Sequence, residues 1–91
     1  MSAKVKIYTR EYCGYCTAAL ELLEAKGIEF EHIDASGKPE IRADIARRSG
    51  QQTVPQIFID DKSIGGFSEL RALDRAGKLD KMIWDPQPAT A

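Results

Sequence analysis

The period of apolar positions changes several times along the chain, and each change predicts an element. Val5 and Ile7, with Tyr8 and Thr9, read as a first strand, because β-branched and aromatic side chains suit a pleated, half-buried surface. Arg10-Glu11-Tyr12 is a connector. From Cys16 to Lys26 the apolar residues Cys16, Ala19, Leu20 and Leu23 fall at helical spacing, with Glu21 and Glu24 off that stripe and Gly27 as the stop. Ile28 to Ile33 alternates apolar and polar, the period of a half-buried second strand.

Ser36-Gly37-Lys38-Pro39 predicts a turn, with Pro39 in the first turn of a second helix that carries Ile41 and Ile45 and closes at Gly50. Val54 to Ile59 is a third strand whose opening is constrained by Pro55. Asp60-Asp61-Lys62 is a short hairpin turn into a fourth strand around Ser63-Ile64, which Gly65-Gly66 interrupts. Ser68 is the expected N-cap of a third helix bearing Leu70 and Leu73 and ending at Gly77. Leu79, Met82, Ile83 and Trp84 suggest one further turn, and residues 85–91 read as a frayed tail. The order β-α-β-α-β-β-α implies an α/β domain over residues 1–84. Its sheet is mixed and four-stranded, parallel where a helix crosses over and antiparallel at the hairpin, with helices on both faces.

Composition narrows the function classes. The 91 residues include 13 basic and 14 acidic side chains, interspersed, for a formal net charge of −1, so no block of like charge points to nucleic acid. No apolar run is long enough to span a membrane, and the opening residues lack the apolar stretch of a signal peptide. The expectation is a cytoplasmic protein.

The two cysteines, Cys13 and Cys16, are too few and too close for a structural disulfide framework. A disulfide across so short a loop would constrain the unfolded chain little, which leaves metal or redox chemistry. At a strand-to-helix junction, Cys13 near the N-cap would receive unpaired backbone N–H groups and the positive end of the helix dipole, both favouring thiolate. Arg10 could add a positive charge. Cys16 would lie in the first turn, more shielded, giving Cys13 as nucleophile and Cys16 as resolving thiol. A structural zinc site needs four ligands, and only His32 is left to supply a nitrogen. A thiol protease would need His32 as its base. Two incidental core cysteines are the remaining reading.

Cys13-Gly14-Tyr15-Cys16 after a first strand, Thr53-Val54-Pro55 opening a third, and Gly65-Gly66 before a helix occur together in this order. With the element order, they resemble the glutaredoxin family, in particular its small dithiol members of bacterial type, over residues 4 to about 83. The resemblance implies a thioredoxin-like fold with a cis proline at Pro55. It also implies a groove in which the backbone of Val54 pairs with an extended peptide, glutathione. By the family's pattern, Arg10 and Arg42 meet the glycine carboxylate of glutathione. The backbone N–H groups of Phe67 and Ser68 meet its γ-glutamyl carboxylate. Gly66 permits close approach, Glu69 stands where the family has an acidic residue for the amine, Thr53 opens the Val54-Pro55 segment, and Tyr15 flanks the sulfurs.

The implied activity is reduction of protein–glutathione mixed disulfides and protein disulfides by a monomer, with glutathione as cosubstrate and no tightly bound cofactor. Thioredoxin is the nearest competitor, but Tyr12 precedes Cys13 here and Tyr15 stands where thioredoxins have proline. The departure within the family is Gly14, where proline is commonest. Some relatives with glycine there bind a [2Fe–2S] cluster in a dimer, ligated by the first cysteine of each chain, here Cys13, and by two glutathiones.

Overall fold

A computed structural model describes residues 3–84; the expected tail at 85–91 lies outside the described residues. The elements are β1 (Val5–Thr9), α1 (Gly14–Ala25), β2 (Glu31–Asp34), α2 (Pro39–Ser49), β3 (Gln56–Ile59), β4 (Lys62–Gly65), α3 (Phe67–Arg75) and α4 (Lys78–Trp84). They form a four-stranded sheet in the order β2-β1-β3-β4. β1 and β2 are parallel, joined through α1, while β3 runs antiparallel to both β1 and β4. The α/β architecture and mixed sheet are those the element order implied, but β3 follows a helix and still runs antiparallel to β1, against the expectation of parallel pairing at each helical crossover.

Strand alternation divides the apolar residues into two cores. Val5 and Ile7 on β1 pair with Ile59 and Ile57 on β3, and all four face α1, α3 and α4. Their partners there include Ala19, Leu23, Leu70, Leu79 and Ile83. Tyr8 and Phe58 point to the opposite face, against Ile45 of α2 and Ala35. The result is three layers, with the ends of β1 and β3 buried on both sides.

Three local expectations are corrected by the structure. β2 begins at Glu31, not Ile28, because the end of α1 claims the preceding backbone. Gly27 N–H bonds Glu24 C=O and Ile28 N–H bonds Leu23 C=O, a Schellman closure sealed by contact between Ile28 and Leu23. α1 begins at Gly14 with Cys13 as its N-cap, where the reading of the dithiol put it. Gly65 completes β4 instead of interrupting it, opposite Ile57. Ser68 is not the N-cap of α3: Gly66 is, and Ser68 lies inside the first turn. The hairpin turn holds as expected, with Asp60 and Asp61 both at positive φ, 49° and 67°, as a two-residue primed turn requires.

Candidate functional site

The end of β1 delivers the chain to a short exposed connector, where Tyr12 takes a positive φ of 58° and is 98% exposed. Cys13 follows in extended conformation (φ −119°, ψ 107°) as the N-cap of α1. Its sulfur does the work usually given to a serine or aspartate cap: it accepts the N–H of Cys16 at 3.2 Å. The Cys13 carbonyl accepts from Thr17 N–H at 3.1 Å, and the Cys13 thiol lies 3.8 Å from the carbonyl oxygen of Val54.

The two thiols are free and differ in environment. Cys13 is half-buried, whereas Cys16 is 3% exposed beneath the first turn. Burial, reinforced by the hydrogen bond with Cys13, pushes the Cys16 thiol up to about 12, against a hydrogen bond from the Arg10 backbone N–H that favours its thiolate. A side chain at Gly14 would meet nothing within 4 Å.

Beside the dithiol lies a groove of about 300 Å³ lined by Tyr15, Gln51, Thr53, Val54, Pro55, Gly66, Phe67, Ser68 and Glu69. The Val54–Pro55 peptide is cis. Val54 precedes β3 and its N–H has no backbone partner among the described residues. One wall is the stacked pair Tyr15 and Phe67, their ring centroids 6.2 Å apart. Next to Phe67, at the start of α3, a Cβ on Gly66 would come 3.2 Å from the Pro55 carbonyl oxygen, so glycine lets the two segments meet. Glu69 accepts the Gly66 N–H at 2.7 Å, turning its carboxylate back over the start of its own helix.

The fold therefore gathers Tyr15, Thr53, Val54, Pro55, Gly66, Phe67 and Ser68 into one groove, with Cys13 reaching its edge at Val54. Arg10 lies apart from these, in a neighbouring cavity of about 410 Å³ that also takes in Cys13 and Cys16. Arg42 is exposed on α2 and lines neither. Sequence reading missed Gln51 and Gln56. Gln56 is fully buried, and its amide nitrogen donates to Gln51 Oε1 and to the Thr53 carbonyl, each at 2.9 Å, holding the loop that carries Val54. Its one signal was an amide side chain inside an otherwise apolar strand.

The other chemistries considered find no support in this geometry. His32 pairs with the Thr9 hydroxyl, while the Cys13 sulfur meets Val54 and Cys16, so no cysteine–histidine pair forms. Among the described residues, no group of three or more His, Cys, Asp or Glu side chains is arranged to hold a metal ion. None of the described helices is long and apolar enough to cross a membrane.

An accessible thiol capping a helix, a shielded partner three residues on, and an adjacent groove on a mixed sheet define a thioredoxin-like thiol–disulfide oxidoreductase. Comparison with known proteins makes this more specific. Residues 5–64 match the family model described as Glutaredoxin. The chain is 51% identical over 79 residues to a glutaredoxin of Pseudomonas aeruginosa, covering 87% of this chain and 94% of that protein. The solution structure of a Brucella melitensis glutaredoxin is 47% identical, superposes with a TM-score of 0.84, and covers 96% of this chain and 95% of that one. The crystal structure of a buckwheat glutaredoxin–glutathione complex is 30% identical with a TM-score of 0.85, covering 92% of this chain and 79% of that one. The chain belongs to the glutaredoxin family and is a glutathione-dependent oxidoreductase.

Proposed function

We propose that this protein reduces protein–glutathione mixed disulfides through Cys13 alone and protein disulfides through Cys13 and Cys16 together. The observation that carries the reading is the asymmetry of the pair: Cys13 is accessible at the helix start beside Val54, and Cys16 is sealed below it. The Cys13 thiolate attacks the glutathione sulfur of a mixed disulfide and the substrate protein leaves as its thiol. A second glutathione then releases the first as glutathione disulfide. With a protein disulfide, Cys13 attacks one substrate sulfur and frees the other as a thiol. Cys16 then attacks Cys13, breaking its bond to the substrate, which leaves as its second thiol while the pair is left oxidised.

Glutathione bound in the groove would pair its backbone with Val54 and direct its γ-glutamyl carboxylate to the N–H groups of Phe67 and Ser68. Glu69 would face its amine, and Tyr15 its sulfur. Arg10 and Arg42 are assigned to the glycine carboxylate. Arg10 is the nearer to the chemistry, since it shares a cavity with both thiols.

Cys16→Ser tests the division of labour: deglutathionylation should persist while reduction of protein disulfides is lost, and loss of both would overturn the mechanism. Equilibration of the dithiol with glutathione buffers should give a potential of about −200 to −230 mV, and a value near −270 mV, typical of thioredoxin, would count against the reading.

A second reading, a [2Fe–2S] cluster between two copies, draws on the open space at Gly14 beside Cys13. Only Cys13 is accessible, so each chain would offer one thiolate, and a cluster would need Cys13 from two chains with two glutathione sulfurs as its remaining ligands. Anaerobic purification with glutathione separates the readings. A colourless monomer is expected of the reductase; a brown dimer would move the function to cluster binding.

A further inference from the structure

The exposed tyrosines on either side of Cys13 are held differently. Tyr15 stacks on Phe67 and belongs to the groove wall. Tyr12, joined directly to Cys13 through the chain, is 98% exposed and lines no part of that groove. Its backbone takes φ 58°, the left-handed region that glycine or asparagine enters at far less cost than an aromatic residue. Folding therefore strains the backbone at Tyr12 and recovers no burial from its ring. Strain and an exposed aromatic surface coincide at the residue next to the nucleophile.

The connector that presents the ring is pinned at both ends. Before Tyr12, the Glu11 N–H donates to Ser36 Oγ at 2.7 Å, and Ser36 donates its own N–H to Asp34 Oδ1 at 2.9 Å. After it, Cys13 caps α1 and its carbonyl accepts the Thr17 N–H. The backbone beneath the ring therefore needs little further ordering when a molecule binds. Arg10 and Glu11, exposed beside it, oppose each other in sign, which leaves the ring as the distinctive feature of this connector.

We propose that Tyr12 is the contact for the polypeptide half of the substrate, and that it favours cysteines flanked by apolar side chains. The proposal rests on the reading that Cys13 attacks protein–glutathione mixed disulfides. In such a disulfide the glutathione half is assigned to the groove of Tyr15, Val54 and Phe67, so the protein half lies against the remaining surface around Cys13. Tyr12 is the residue that adjoins the nucleophile there. A tyrosine ring offers a large apolar face with few rotors to order, and its hydroxyl stays in water while the face is covered. A leucine or phenylalanine beside the substrate cysteine can reach it, because the ring and the attacking sulfur belong to adjacent residues. Glutathione carries no apolar side chain, so the contact selects among protein substrates.

Two glutathionylated decapeptides test this, one with leucine on both sides of the cysteine and one with serine, beside the mixed disulfide of glutathione and free cysteine. In the wild type, kcat/KM should favour the leucine peptide. Tyr12→Asn removes the ring and suits the backbone angle; it should cut that preference about three- to tenfold, through KM. Tyr12→Phe should keep the preference. The urea midpoint of Tyr12→Asn should not fall, since the ring is not buried; a fall would show that the ring packs on its own chain and would count against the proposal. A wild type indifferent to the flanking residues, a preference unchanged in Tyr12→Asn, or an equal loss on all three substrates would overturn it. If the wild type leaves all three mixed disulfides intact, the reading of Cys13 itself fails, a result distinct from the loss of selectivity at Tyr12.

Discussion

Beneath the first turn of α1 the Cys16 thiol is held neutral up to about 12, first by burial and then by its hydrogen bond with Cys13. The same thiol in an unfolded chain ionises near 9.0, so its pKa is raised by folding. Stability from this group is therefore complete below 9.0 and is lost as pH rises towards about 12. The stability difference between wild type and Cys16→Ser should hold steady below about pH 9 and shrink as pH rises above it in urea titrations. At neutral pH, iodoacetamide should label Cys13 and leave Cys16 unmodified until the protein is denatured, as read by mass spectrometry. Gln56 belongs to the same scale. Gln56→Met removes the donors to Gln51 and Thr53 together with a buried Oε1 that has no partner, so stability should change by no more than about 1 kcal/mol. The KM for a glutathionylated peptide should still rise several-fold, because the loop carrying Val54 loses its anchor; steady-state kinetics with a denaturation control checks both.

At the scale of elements, the β4–α3 junction sets the end of the groove. Gly65 has φ +112°, and a Cβ there would sit 2.5 Å from the Glu69 carboxylate oxygen. Gly65→Ala should displace that carboxylate from the Gly66 N–H and cost about 2 kcal/mol, visible as a lower urea midpoint at unchanged slope. This junction also shows where sequence reading stopped. The glycine pair was legible as a break, and a serine after it looked like the cap. The helix is capped two residues earlier, at Gly66, which must approach Pro55, a segment distant in sequence. Likewise, alternation from Ile28 to Ile33 matched a strand, yet the Schellman closure of α1 uses the backbone of Gly27 and Ile28. Local period cannot tell which of two neighbouring elements will claim an N–H.

At the scale of the whole molecule, one sheet divides two unequal cores. The smaller, under α2, is centred on Phe58, 1% exposed, which meets Tyr8 edge-on at 5.6 Å and lies under the Arg48 guanidinium at 4.5 Å. Phe58→Ala should cost about 3–5 kcal/mol, a large part of the stability of a domain this size, and should lower the thermal midpoint markedly in a calorimetric scan. On the other face Lys26, the C-cap of α1, reaches Asp74 of α3 at 2.7 Å and Asp80 of α4 at 3.0 Å, tying three helices together at the surface.

The dithiol, the strand and helix order, the turn at Asp60-Asp61 and the sides of the core were legible in the chain, because periodicity and turn chemistry act between near neighbours. The same holds for the unequal roles expected of Cys13 and Cys16, since an N-cap and a first-turn position differ in shielding wherever the helix is placed. What the tertiary structure decided is which distant residues share a space. It joined Tyr15, Val54, Gly66 and Phe67 in one groove, left Arg42 outside it, hung the loop of Val54 on Gln56, and set His32 against Thr9 beside the buried thiol. These juxtapositions depend on sheet register and on how the layers close, which no local pattern encodes.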